Sequence, residues 1–213
     1  MPMSSLEMIA AVLLDMDGTL VDSDASVARS WTAWALEHGV DPATALAGMH
    51  GSPSLLTARR LLPGLPETAI AAAAERQLAL QYDDLADVVP APGARMLLDA
   101  IDRLGLPWAV VTSANRRLAR ARLGATGIDP PLLITSEDTT AGKPDPEGFL
   151  LAARRLGVDP ARCLVVEDSE PGLAAGRAAG AITAALRGVS GDLRIASLAD
   201  LADRLLRARV RAS

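Results

Sequence analysis

Short apolar runs that alternate with helical stretches constrain this chain more than any other feature. They lie at 9–14, 108–111, 132–134, 164–166 and 181–186. Within each run the apolar residues are nearly continuous rather than alternating, the pattern of strands buried on both faces of a parallel sheet. Helical patterns at 93–104, 116–123, 146–156 and 171–179 separate the runs, and proline or glycine marks most joints. This repetition predicts an open α/β sheet. Half of the 213 residues are hydrophobic but only 2% are aromatic, so Ala, Leu, Val and Ile must form the core.

The stretch 25–88 breaks the rhythm. It has no strand-like run and reads as helices over 25–38, 42–49, 54–62 and 67–85, separated by Gly39, Gly51 and Pro63-Gly64-Leu65-Pro66. Trp31 and Trp34, three apart, share one helix face and suit the interior of a small bundle. The expected organisation is an α/β core of residues 1–24 and 89–213, with a helical domain at 25–88 inserted after the first strand.

Several classes of function are disfavoured. A net charge of −5 offers no broad basic face for nucleic acid, and the arginines between 204 and 211 read as the solvated face of a last helix. The one cysteine, Cys163, cannot form an intramolecular disulfide; in the apolar run Cys163-Leu164-Val165-Val166 it reads as a buried structural thiol. The N-terminus lacks the basic start of a signal peptide, and no apolar run is long enough to span a membrane. A cytoplasmic monomer is the expectation. Gly172, Gly176 and Gly180 lack the spacing of a dinucleotide loop and suit close packing of a helix on the sheet.

The residues that carry chemistry sit at strand ends, where ligands collect in a parallel α/β sheet. The first run ends in Asp15-Met16-Asp17-Gly18-Thr19. A calcium loop would need acidic groups at its first, third and fifth positions and glycine at the sixth; counted from Asp15, those last two are Thr19 and Leu20, so that reading fails. A structural turn and a nucleophile with a neighbouring acid remain open. The second run ends in Thr112-Ser113, whose hydroxyls could hold phosphate oxygens.

Lys143 is the chain's only lysine among 21 basic residues, and it lies in Gly142-Lys143-Pro144-Asp145-Pro146 just before a helix. A chain that otherwise uses arginine keeps lysine where a compact point charge is needed. Glu167-Asp168 closes another apolar run. Asp168 with Asp15 would form an oxygen site suited to Mg²⁺.

The order and spacing of these four elements resemble the haloacid dehalogenase superfamily. Asp15 and Asp17 match its first motif, Thr112 its second, Lys143 its third and Glu167-Asp168 its fourth. The resemblance implies a Rossmann-like core with an inserted helical cap, the 25–88 insertion. It further implies Asp15 as nucleophile, Asp17 as general acid and base, and Thr112, Ser113 and Lys143 as phosphate ligands. Mg²⁺ would be held by Asp15, Asp168 and the backbone carbonyl of Asp17, with Glu167 a neighbour of the metal rather than a ligand.

Met49-His50-Gly51, Val111-Thr112-Ser113-Ala114 and the run from Val166 to Gly172 look like the sugar and glycerol phosphatase branch, where His50 would meet substrate. The β-phosphoglucomutase pattern departs: its cap-proximal histidine falls on Val27, and its cap lysine and arginine fall on His50 and Ser54. The expected reaction is hydrolysis of a small sugar or polyol phosphate. A phosphomutase, a phospho-receiver module and a dehalogenase are the competing readings.

Overall fold

The computed structural model describes residues 5–47 and 53–212. A 3₁₀ turn at Ser5–Met8 leads into β1 (Ala11–Leu14), followed by β2 (Val21–Asp22). Four helices come next: α1 (Asp24–Glu37), α2 (Pro42–Leu46), α3 (Ser54–Leu61) and α4 (Glu67–Tyr82). The chain then alternates through β3 (Val89–Pro90), α5 (Ala94–Arg103), β4 (Trp108–Val111), α6 (Arg116–Thr126), β5 (Leu133–Ile134) and α7 (Glu147–Leu156). It ends with β6 (Cys163–Glu167), α8 (Glu170–Ala178), β7 (Ile182–Ala185), β8 (Leu193–Arg194) and α9 (Leu198–Ala212).

The main sheet has the order β5-β4-β1-β6-β7-β8, and every pairing in it is parallel. Alternate residues of β1 enter opposite cores. Val12 and Leu14 join Leu97 and Ile101 of α5, Leu123 of α6 and Leu201 of α9. Ala11 and Leu13 join Phe149 of α7 and Ala175 of α8. Both faces are therefore covered, which is why the strands read as continuous apolar runs. Register aligns their ends: Leu14 lies opposite Val110 on one side and Val166 on the other.

Two glycines set how closely α8 approaches β6. A methyl on Gly176 would sit 2.9 Å from Val165 Cγ1, and one on Gly172 would overlap the Glu167 carboxylate. Gly180 does something else: it lies just past α8 at φ +78°, a conformation that releases the chain from the helix.

The four inserted helices build a third core from Val27, Trp31, Trp34, Ala58, Ile70 and Ala73. Trp31 and Trp34 pack edge to face at 5.1 Å, and Trp34 Nε1 donates to the Ala73 carbonyl at 2.7 Å. The chain leaves and re-enters the sheet domain through the antiparallel pair β2–β3. The two-residue strands β2, β3 and β8 lie outside the apolar runs, so the sequence did not reveal them. No described helix is long and apolar enough to cross a membrane. Cys163 is buried in β6, and burial pushes its thiol up to about 11.

Candidate active site

The register of β1, β4 and β6 brings Asp15, Thr112 and Glu167 to one edge of the sheet. Asp15 N–H still donates to the Val166 carbonyl, and Thr112 N–H to that of Ile134, so both residues are fixed by the ladder they terminate. The chain then turns out of β1. Gly18 adopts φ +84°, and a side chain there would collide with the Asp168 carboxylate; only glycine permits both.

The helices that follow these strands start with caps that serve the site. Ser169 Oγ accepts the Gly172 N–H at 3.2 Å to cap α8, and donates to Glu167 Oε2 at 2.9 Å. Asn115 Oδ1 caps α6 by accepting the Leu118 N–H, while its Nδ2 donates to the Tyr82 hydroxyl at the end of α4. One cap thus orients a buried carboxylate, and the other ties the helical insertion to the core.

Lys143 arrives on a loop laced by Glu147, whose Oε2 accepts from the N–H groups of Thr140 and Ala141 and from Thr140 Oγ1. Its side chain is 7% exposed. Nζ donates to Asp15 Oδ1 at 2.5 Å, Glu167 Oε1 at 2.6 Å and the Val111 carbonyl at 3.0 Å. Three N–H groups meet three acceptors from three strand ends. Burial opposes the charge on Lys143, but Asp15 and Glu167 outweigh it and hold its pKa above the ordinary value.

Oxygens of Asp15, Glu167 and Asp168 lie within 4.8 Å of one another. Burial and then the charge of Glu167 raise the Asp15 pKa well above normal against the pull of Lys143. The same two causes raise Asp168 to about 6, opposed by Arg187 and Lys143. Clustered carboxylates that resist ionisation are short of positive charge, and an all-oxygen donor set suits Mg²⁺. Glu167 is spoken for: it is fully buried, Oε1 faces Lys143, and Oε2 accepts from Ser169 Oγ and the N–H groups of Asp168 and Ser169. Asp15 and Asp168 are the members of the cluster that line the cleft, Asp168 with long contacts to Thr19 and Arg187, each at 3.4 Å. The Asp17 side chain is not in this cluster. Its Oδ1 accepts from Ser23 Oγ at 2.6 Å and lies 2.8 Å from Arg122 Nη1.

Above the strand ends lies a cleft of about 400 Å³, roofed by the inserted helices. Asp15, Asp17, Thr112, Ser113 and Asp168 line its floor, and Trp31, Ser54, Glu75 and Gln81 are among the residues of the roof. Ser113 Oγ is buried without a hydrogen-bond partner among the described residues. Thr112 Oγ1 accepts the Ala114 N–H at 3.1 Å. The floor thus unites the expected Asp15, Asp17, Thr112, Ser113 and Asp168, with Lys143 held against Asp15 beside it. His50 lies outside the described residues. Arg59 on α3 pairs with Glu67 at an exposed position.

Sequence reasoning missed Ser23, Glu75, Gln81, Arg187 and above all Arg122. Arg187 reaches Asp24 at 2.7 Å, the Gly18 carbonyl at 3.2 Å and Asp168 at 3.4 Å. Arg122 was hidden among the other arginines of α6, Arg116, Arg117 and Arg120. Its signal was its phase: with Leu118, Ala119, Leu123 and Thr126 it falls on the buried face of the helix.

A family model described as haloacid dehalogenase-like hydrolase matches residues 9–180. Hexitol phosphatase A of Escherichia coli is 40% identical over 169 residues, 79% of this chain and 78% of that protein. The 2-deoxyglucose-6-phosphate phosphatase 1 of Saccharomyces cerevisiae is 35% identical over 192 residues, 80% of this chain and 77% of that protein. Among solved structures, a β-phosphoglucomutase from Clostridium difficile superposes with a TM-score of 0.84 over 96% of this chain and 98% of the other; at 19% identity it speaks to the fold. The strand-end carboxylates, the buried lysine and these relationships agree: the chain is an enzyme of the haloacid dehalogenase-like hydrolase family.

Proposed function

We propose that this hydrolase is a phosphatase that cleaves small sugar or polyol phosphates through an aspartyl phosphate on Asp15. The observation that carries the reading is the Lys143 ammonium bonded to Asp15 beside Asp168, at the foot of a roofed cleft. Residues 25–88 act as the cap, and residues 1–24 with 89–213 as the core.

Asp15 attacks phosphorus while the bond to the leaving oxygen breaks, and Asp17 gives that oxygen its proton. Asp17 then takes a proton from water as the water attacks phosphorus, releasing inorganic phosphate and restoring Asp15. Lys143, Ser113 and Thr112 bind the phosphate oxygens, Lys143 as a fixed cation and Ser113 through its uncommitted hydroxyl. Asp15, Asp168 and the backbone carbonyl of Asp17 would hold Mg²⁺, which supplies positive charge that keeps the carboxylates ionised and offsets that of phosphate. The cap excludes bulk water from the cleft.

Two features support a neutral, hydroxylated leaving group. Among the described residues the cap's polar side chains that line the cleft are Ser54, Glu75 and Gln81, with no cation, and the core's Arg122, which also lines it, is paired with Asp17 and Gln81, a poor setting for a second phosphate or a carboxylate. The relatives named above are a hexitol phosphatase and a 2-deoxyglucose-6-phosphate phosphatase. The mutase reading is disfavoured because Val27, which lines the cleft where the mutase carries a histidine, has no proton to exchange.

A screen of phosphorylated metabolites tests the proposal. Hexose 6-phosphates, hexitol phosphates or glycerol phosphate should turn over better than phosphoglycolate; a preference for phosphoglycolate would remove the substrate assignment and leave the chemistry standing.

A further inference from the structure

Among the described residues, Arg122 is unlike the other arginines that form ion pairs. Arg29, Arg59, Arg76, Arg116 and Arg204 make theirs at side chains about half exposed, whereas the Arg122 side chain is 3% exposed. Burying a guanidinium is costly unless its donors are met. Two of them are met by groups from different parts of the molecule. Nη1 lies 2.8 Å from Asp17 Oδ1 on the catalytic loop, and Nη2 donates to Gln81 Oε1 on cap helix α4 at 2.5 Å. Nε has no partner among the described residues.

The contact to the cap continues inward. Gln81 Nε2 donates to Gln77 Oε1 at 2.6 Å, and the same oxygen accepts from Ser54 Oγ at 2.6 Å. Gln77 Nε2 donates to Ser30 Oγ at 3.3 Å. Ser54 opens α3 on the roof of the cleft. A continuous chain of polar groups therefore runs from the floor of the cleft, through a core helix, to the roof.

We infer that Arg122 is a positioning residue for proton transfer, fixing Asp17 and tying its placement through Gln81 to the seating of the cap. This rests on the reading of Asp17 as the general acid. Arg122 and Ser23 both hold Oδ1, which leaves Oδ2 for the leaving oxygen. When α4 withdraws, Nη2 loses its acceptor and the guanidinium must find another, so the placement of Asp17 and the closure of the cleft favour each other. Proton donation is then efficient when the cap covers the substrate. Arg122 need not touch substrate for this.

The test uses two leaving groups of like shape and different basicity. Phenyl phosphate needs a proton on its departing oxygen more than 4-nitrophenyl phosphate does, so loss of acid catalysis lowers kcat/KM for phenyl phosphate selectively. Arg122→Met should lower it at least about tenfold more for phenyl phosphate than for 4-nitrophenyl phosphate. Arg122→Lys, which keeps the charge near Asp17 but cannot span to Gln81, should fall between. Gln81→Leu, which leaves Arg122 and Asp17 intact, should show the same selectivity more weakly.

Asp17→Asn separates the two layers of the claim. If Asp17→Asn shows no leaving-group selectivity, the acid assignment itself fails. If it does, while Arg122→Met or Arg122→Lys slows both esters equally, Arg122 is only structural and the inference is overturned. Gln81→Leu with unchanged selectivity would overturn the link to the cap.

Discussion

Lys143 Nζ donates to Asp15 Oδ1 at 2.5 Å, across 128 residues of chain. The bond joins the loop before α7 to the end of β1, and the same ammonium reaches Glu167 at the end of β6 and the Val111 carbonyl at the end of β4. Four separate segments are thus locked around one cation. The fit explains why a chain otherwise built on arginine keeps one lysine here. A guanidinium is planar and broad, and cannot aim three donors at acceptors gathered around one point. Lys143→Arg should lower kcat at least about tenfold, equal to about 1.4 kcal/mol of transition-state stabilisation, with the fold retained by circular dichroism. Near-native kinetics would mean that any cation suffices.

Asp15 and Asp168 resist ionisation in the absence of other positive charge, so activity should depend on a cation. Treatment with EDTA should abolish turnover and Mg²⁺ should restore it. Ca²⁺ should substitute poorly, because its larger and looser coordination favours both oxygens of a carboxylate and so ties up the attacking group. Full activity in protein shown to be metal-free would contradict the assignment.

The same crowding of carboxylates should register in stability. In the folded, metal-free protein burial and Glu167 hold Asp168 at about 6, whereas an unfolded aspartate titrates near 3.9. Between those values the folded state binds more protons than the unfolded one, so the contribution of Asp168 to stability falls as pH rises through the window. A shift of roughly two pH units limits the loss to about 3 kcal/mol. Asp168→Asn should therefore raise the metal-free Tm at pH 7.5, and the gap to wild type should narrow toward pH 4. Mg²⁺ should raise the Tm of wild type and leave that of the variant nearly unchanged. An Asp168→Asn variant less stable than wild type at neutral pH would show that the carboxylate is not under strain.

Much of this arrangement could be read from the sequence because its parts are local. Runs buried on both faces are continuous, so β1, β4 and β6 declared themselves, and the residues just beyond them, Asp15, Thr112 and Asp168, were candidates by position. Lys143 stood out by composition. What escaped were relationships that depend on partners distant in the chain. Glu167 could be placed beside the expected metal site, but nothing local showed that its two oxygens would be consumed by Lys143 and by Asp168 and Ser169 at the entrance to α8. Nothing in the sequence singled out Arg122, since its partners Asp17 and Gln81 lie 105 and 41 residues away. The two-residue strands β2 and β3 fall outside any apolar run and have too few side chains to show a period.

Trapping the covalent intermediate tests the central claim, that Asp15 carries the phosphoryl group, most directly. Enzyme quenched during turnover of a good sugar phosphate in Mg²⁺ and treated with borohydride should yield homoserine at position 15 in peptide mass spectra, because an acyl phosphate is reduced where a free carboxylate is not. Asp15→Asn should give no reduced residue and should lose turnover by several orders of magnitude while remaining folded. Reduction at another carboxylate, or substantial turnover by folded Asp15→Asn, would contradict the account.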